Sequence, residues 1–112
     1  MNYIHGNDFP SKWQKMSLDE QMGNIGSEVS RARKWENKDS KIFLNTIFRA
    51  LELMDLTISD KRWLIGLKEI CRVKEILCDI VFGENQYNTT LEDLDRYFTR
   101  FAQAARKLKL AN

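Results

Sequence analysis

The sequence is poor in residues that interrupt or crosslink a chain. Its 112 residues include one proline, five glycines, two cysteines and one histidine. So little proline and glycine excludes collagen-like, proline-rich and linker-type chains, and it disfavours an all-β protein, which would need many turn residues. A hydrophobic content of 43% at a net charge of +2 is too apolar for intrinsic disorder. The length allows one domain and argues against two.

Charge and hydropathy limit the partners that the chain can have. Eighteen basic residues against sixteen acidic ones leave an excess too slight to predict, by itself, a surface for nucleic acid or for an anionic membrane. Apolar runs such as Ile80–Phe82 are far too short to span a bilayer. The first six residues lack the basic region and apolar core of a signal peptide. We therefore expect a cytoplasmic protein without a membrane partner.

The two cysteines are predicted to be structural. Cys71 and Cys78 lie seven residues apart, which is about 10 Å along a helix. That separation is too long for a disulfide within one helix. We interpret both as reduced thiols of the core rather than as redox groups or metal ligands.

An irregular N-terminal arm at residues 1–16 is predicted to precede a four-helix domain at residues 17–112. Asn7 and Pro10 break any period in the arm. The first helix is predicted to begin after Ser17, because Ser17 and Glu20 have the spacing of a capping box, in which each side chain binds the other residue's backbone amide.

This first helix carries two glycines beside its apolar stripe. Gly23 and Gly26 each cost about 1 kcal/mol relative to alanine inside a helix, so a packing reason is expected. We predict the close approach of another helix, with a kink as the alternative. The stripe recurs at spacings of three and four residues. It comprises Leu18, Met22, Ile25, Val29 and Ala32.

Three further helices are predicted. The second follows a polar turn at residues 37–40 and is apolar over more than half of its circumference, so it should lie centrally or contact two neighbours. The third runs from Asp60 to Gly83, since glycine accepts the left-handed conformation that ends helices. The fourth begins with a second capping box at Thr89–Glu92. Its apolar stripe comprises Leu91, Leu94, Phe98, Phe101, Ala105 and Leu108. Four helices with short connections favour an all-α fold, an antiparallel four-helix up-down bundle.

No catalytic, metal or cofactor site is predicted. The single histidine, His5, lies in the arm, so a di-iron bundle, which needs Glu-x-x-His on two helices, cannot be built. A closed zinc site lacks its four ligands. The segment Gly23–Gly26 lacks the lysine and hydroxyl residue that end a phosphate-binding loop. Acid–base chemistry would rest on carboxylates alone, so we expect that the protein is not an enzyme and uses no cofactor.

A polar cluster is predicted between the third and fourth helices. Arg72, Glu75 and Asp79 share one face of the third helix at spacings of three and four. The two carboxylates would repel each other unless a cation intervenes, and Arg96 or Arg100 of the fourth helix is a candidate beside Arg72. We favour an interhelical salt-bridge network over a ligand site.

A basic cluster surrounds the end of the first helix. Cations interleaved with an aromatic residue can contact a phosphate backbone and stack a base, so this segment is a candidate nucleic-acid contact. Because cations also favour the C-terminus of a helix, a solvated helix end is the preferred interpretation. The basic cluster comprises Arg31, Arg33, Lys34, Trp35, Lys38 and Lys41.

Three segments carry a resemblance to known proteins. Gln21–Val29, Arg49–Ile58 and Leu67–Asp79 resemble a family of small bacterial all-helical proteins of unknown function, which implies a helical fold and no activity. The size and helix count are also similar to those of HEPN domains, whose ribonuclease members carry an arginine followed several residues later by a histidine. His5 precedes every arginine here. That resemblance therefore implies a non-catalytic relative that binds a partner, as a subunit of a toxin–antitoxin-like pair would.

The apolar content predicts an interaction protein. Three tryptophans and six phenylalanines are many for a bundle of this size, and a patch left unburied would mark an interface. We expect a non-enzymatic helical protein-interaction module that binds itself or another protein. The second helix, Phe9 and Trp13 are expected to contribute, unless the arm folds back over its own bundle. The alternative is a nucleic-acid-associated protein that uses the basic cluster at residues 31–41.

Overall fold

The computed structural model describes residues 9–111, which contain five α-helices, one 3₁₀ helix and no strand. The predicted all-helical fold class is thereby confirmed. Tyr3 and His5 of the predicted arm lie outside the described residues. The helices are α1 (Phe9–Gln14), α2 (Leu18–Trp35), α3 (Ser40–Ile58), the 3₁₀ helix η1 (Lys61–Gly66), α4 (Leu67–Phe82) and α5 (Leu91–Ala111).

The arm predicted as irregular contains the helix α1, so that prediction is wrong for residues 9–14. Pro10 was expected to break the chain, but it lies in the first turn of α1, where a missing amide hydrogen costs no intrahelical bond. Trp13 is fully buried, and its Nε1 donates to Thr57 Oγ1 at 3.1 Å. The arm therefore belongs to the core at this point and does not supply Trp13 to an interface.

Local capping fixes where α2 and α3 begin. The predicted capping box is present: the Glu20 amide donates to Ser17 Oγ, and the Ser17 amide donates to Glu20 Oε1. At α3 the carboxylate of Asp39 accepts from the amides of Lys41 and Ile42. Such side-chain caps satisfy amides that have no partner inside the helix.

The capping box of α5 lies one residue later than predicted. Thr90 and Asp93 form it, because the Asp93 amide donates to Thr90 Oγ1 and the Thr90 amide donates to Asp93 Oδ2. Thr89, predicted as the cap, is engaged in the preceding loop, where its amide donates to Asn85 Oδ1. From the sequence alone either of the two adjacent threonines could cap α5. The hydrogen bond of Thr89 to the preceding loop leaves Thr90 as the cap.

The predicted third helix is interrupted at its start. Residues Lys61–Gly66 form η1, and Trp63 departs from helical geometry at φ −107° and ψ 26°. The Nε1 of Trp63 donates to Gln21 Oε1 of α2 at 2.9 Å, and this contact ties the side chain to α2. The α-helix α4 therefore starts only at Leu67.

α2 lies at the centre of the molecule and packs along both α3 and α5. Ion pairs at both ends show that α2 and α5 run antiparallel: Arg33 pairs with Asp95, and Glu20 pairs with Lys109. The glycine prediction is confirmed at Gly26, since a Cβ built there would lie 2.4 Å from the Cβ of Phe98. The buried core comprises Trp13, Met22, Ile25, Val29, Ala32, Ile47, Ala50, Leu53, Met54, Ile70, Val73, Leu77, Leu91, Leu94 and Phe98.

α4 packs on α3 and has only a slight contact with α5. Asp55 of α3 pairs with Lys74 of α4, and Phe48 contacts Phe82 nearer the α3 N-terminus, so these two helices also run antiparallel. Among residues 9–111, none of the helices is long and apolar enough to cross a bilayer.

Candidate functional site

A stacked aromatic pair is exposed where α3 meets α4. The rings of Phe48 and Phe82 have centroids 6.0 Å apart and an interplanar angle of 24°. The two residues are 47% and 54% exposed, and Leu44, one turn before Phe48, is also exposed. Single exposed apolar residues are common on proteins, whereas a contiguous group marks an interaction surface. We call these three residues the α3–α4 face.

Charged residues flank the α3–α4 face along α3. Lys41, Phe48 and Asp55 are spaced by seven residues, close to two helical turns, so they lie along one line of the helix. Lys41 is exposed. The side chain of Asp55 remains 60% exposed although it pairs with Lys74. The line therefore presents a cation, an aromatic ring and an anion in order.

A second exposed apolar group lies on η1, at the opposite ends of α3 and α4. Leu64 is 70% exposed, and Ile65 is completely exposed. By helical rise the end of α3 at Ile58 lies about 15 Å beyond Phe48, and η1 begins three residues later. We call Leu64 and Ile65 the η1 tip.

A buried polar network anchors η1 to α2. Asp60 is buried, accepts from Gln21 Nε2, and binds Arg62 Nη2 at 2.7 Å. These hydrogen bonds, above all those from Arg62, lower the pKa of Asp60 to about 2. Arg62 also donates to the carbonyl of Met16. The network fixes the η1 backbone against the start of α2.

The structure does not bring the five residues of the predicted polar cluster into one network. Asp79 accepts from the amides of Gln86 and Tyr87, so it caps the loop after α4. Glu75 accepts from the Tyr87 hydroxyl at 3.1 Å, which raises the pKa of Tyr87. Arg72 lies near enough to Tyr87 to oppose that shift.

The two arginines of α5 that were assigned to this cluster have other contacts. Arg96 pairs with Glu92 and Asp93 on its own helix. Arg100 lies over the ring of Tyr97, 5.6 Å from its centroid. The sequence predicts ion pairs between α4 and α5. Glu75 and Asp79 instead bind the loop after α4, whose position cannot be predicted from residue spacing.

The basic cluster is present at the end of α2, but two of its cations serve ion pairs. Arg31 pairs with Glu28, and Arg33 pairs with Asp95 of α5 at 2.7 Å. Trp35 is half-buried. The remaining cations are exposed, and they are Lys34, Lys38 and Lys41.

Both cysteines are free thiols. Neither lies in the buried core, so the prediction that they are core residues is wrong. Cys71 and Cys78 are half-buried. Burial raises the pKa of the Cys78 thiol. Cys71 lines a surface cavity of about 330 Å³ with Lys68 and Arg72. Over the described part of the chain, no group of three or more histidine, cysteine, aspartate or glutamate residues could hold a metal ion.

No protein-family model, curated protein or solved structure matches this chain. The resemblances to small bacterial all-helical proteins and to HEPN domains therefore stay predictions. The α3–α4 face, the η1 tip and the basic cluster are the features that bear on function.

Proposed function

We propose that this chain is a non-enzymatic helical protein-interaction module that self-associates through the α3–α4 face. The observation that carries the proposal is the stacked and exposed pair of Phe48 and Phe82. Full burial of a phenylalanine side chain contributes about 1.5–3 kcal/mol. The two rings already contact each other, so a partner would meet a surface that is largely ordered beforehand, which reduces the entropic cost of binding.

The flanking charges favour a second copy of the chain as the occupant. In a two-fold dimer centred on Phe48, with the two α3 helices antiparallel, Lys41 of one copy would face Asp55 of the other. Symmetry makes this pairing twice, about 10 Å on either side of the ring. An apolar centre with a charged rim is the usual anatomy of a specific interface.

In this proposal the four long helices act as one antiparallel up-down bundle with an open edge at α3 and α4. The antiparallel pairs α2–α5 and α3–α4 support it. The slight contact between α4 and α5 leaves α4 supported mainly by α3. Dimerisation would cover the outer side of that weakly supported pair.

Sedimentation equilibrium over a range from micromolar to near-millimolar protein tests the proposal. The wild type should form dimers as concentration rises, and Phe48→Ser or Phe82→Ser should shift the equilibrium to monomer. The matched control is Leu110→Ser, which removes an exposed apolar side chain from α5, away from the α3–α4 face. A wild type that stays monomeric throughout, or equal effects of all three substitutions, would refute self-association through this face. In the first case a different partner, such as the other subunit of a toxin–antitoxin-like pair, becomes the better proposal.

Nucleic-acid binding by the basic cluster is the second candidate. Three exposed lysines beside the half-buried ring of Trp35 support it, whereas the ion pairs of Arg31 and Arg33 weaken it. Binding driven by phosphate contacts weakens steeply as salt rises, but burial of an apolar face does not. The protein and its variants Lys34→Gln and Lys38→Gln can be titrated with labelled single-stranded and duplex DNA and RNA at several salt concentrations. This titration would distinguish nucleic-acid binding from self-association through the α3–α4 face.

A further inference from the structure

The η1 tip consists of two adjacent apolar side chains that are both strongly exposed. Leu64 and Ile65 are adjacent, and successive side chains of a 3₁₀ helix diverge by a third of a turn. The two side chains therefore project in different directions into solvent. A single concave protein pocket does not readily accommodate both side chains. The soft interfacial region of a lipid bilayer can surround both.

The tip is held in this position by the polar network below it. Arg62, the residue two before Leu64, donates to Asp60 and to the carbonyl of Met16. Trp63, the residue between them, donates to Gln21 at 2.9 Å. Hydrogen bonds of the two preceding residues therefore hold Leu64 and Ile65 in their exposed position.

Cations surround the tip. Lys61 and Lys68 are exposed on either side of it along the chain. Lys12 and Lys15 of the N-terminal segment are also exposed, and the hydrogen bond from Arg62 to Met16 brings that segment to the same end of the molecule. Glu69 is the exposed carboxylate on the first turn of α4. Among these described residues, exposed lysines therefore outnumber exposed carboxylates.

We infer that the η1 tip docks on an anionic lipid surface. Leu64 and Ile65 enter the boundary between headgroups and acyl chains, while the surrounding lysines contact the lipid phosphates. Stable attachment to a bilayer needs two such signals, because one apolar group or a few cations alone bind weakly. This inference is independent of the dimer, since it uses the end of the molecule opposite the α3–α4 face. It departs from the expectation of no membrane partner, because net charge and run length do not reveal where exposed residues gather.

Co-sedimentation of the full chain with vesicles tests the inference. The protein should bind vesicles rich in phosphatidylglycerol, bind pure phosphatidylcholine vesicles far less, and dissociate as salt rises. Leu64→Ser with Ile65→Ser should reduce partitioning at least about tenfold, and Lys61→Gln or Lys68→Gln should each reduce it about fivefold. The matched controls are Ile42→Ser and Lys34→Gln, which lie on exposed positions at the start of α3 and the end of α2, away from the tip, and should bind as the wild type does. Melting curves of every variant should match that of the wild type, as expected for exposed positions, and so show that the fold is intact.

Three outcomes overturn the inference. The first is an absence of binding to phosphatidylglycerol vesicles, and the second is equal binding by the tip variant and the wild type. The third is tip-dependent binding to an acidic amphipathic peptide without binding to vesicles, which would assign the tip to an acidic protein partner. Phe48→Ser should bind vesicles as the wild type does, so failure of the dimer and failure of lipid docking are distinguishable.

Discussion

Gly26 of α2 lies directly against Phe98 of α5, and no side chain larger than hydrogen fits between them. A Cβ at Gly26 would lie 2.4 Å from the Cβ of Phe98, well inside any van der Waals contact. Phe98 is itself fully buried. This glycine therefore sets the spacing between α2 and α5, and close packing offsets its helix-propensity cost of about 1 kcal/mol.

Substitution of that glycine should destabilise the fold. We expect Gly26→Ala to lower the free energy of unfolding by about 1–3 kcal/mol, because relief of the clash requires α2 and α5 to separate. Gly23→Ala is the control, since its nearest neighbour, the Cα of Ala102, would lie 3.2 Å from the new Cβ and a small shift suffices. Urea denaturation followed by circular dichroism measures both. A Gly26→Ala protein as stable as the wild type would contradict the packing explanation.

Much of the helical layout could be predicted, because it depends on contacts between residues three or four apart. The capping box at Ser17, the start of α3 after Asp39 and the close approach at Gly26 are all local signals. The same reasoning overextended the stripe of α5. Leu108 is exposed because α2 begins at Leu18, and the last turn of α5 therefore extends past the helix against which its stripe packs.

The sites depended on tertiary contacts that no spacing encodes. Trp63 leaves helical geometry and bonds to Gln21, which is 42 residues away. Asp79 binds amides of a loop instead of a neighbouring arginine. The apolar width of α3 was visible in the sequence, but which part of it stays exposed depends on where α4 packs.

Acid should release the network that holds η1. The hydrogen bonds from Arg62 lower the pKa of Asp60 from its ordinary 3.8 to about 2 in the folded protein. A carboxylate with a lowered folded-state pKa stabilises the fold fully above its unfolded pKa, and that stabilisation is lost as pH falls from about 4 to about 2. Asp60→Asn should cost about 1–3 kcal/mol at neutral pH, because Arg62 loses a charged partner, and it should flatten the dependence of stability on pH across this range. Thermal melts at a series of pH values measure the effect. Equal slopes for the wild type and the variant would show that Asp60 is not responsible.

The two thiols should differ in reactivity. Burial raises the pKa of Cys78, which lowers the fraction of reactive thiolate near neutral pH. Cys71 lines an open cavity beside Lys68 and Arg72. We therefore expect iodoacetamide to modify Cys71 before Cys78 in the native protein and both rapidly after denaturation, as mass spectrometry of the labelled peptides would show. Faster native labelling of Cys78 would mean that its surroundings open more readily than the static structure implies.

Reversing the charges beside the α3–α4 face should reveal which residues meet across the dimer. Lys41→Asp alone should weaken dimerisation roughly tenfold, because two ion pairs are lost and like charges come to face each other. Asp55→Lys alone should do the same, and it also removes the partner of Lys74 within the monomer, so melting at low concentration must be compared as a control.

The double variant Lys41→Asp with Asp55→Lys should recover much of the lost affinity, since each copy then presents the reversed pair in the same geometry. A mixture of the two single variants should also recover affinity as heterodimers, because one rim pair is then the native pair of Asp55 with Lys41 and the other is the same pair with its charges exchanged. Two single variants that weaken the dimer additively, without recovery in the double variant, would contradict an antiparallel arrangement of the two α3 helices.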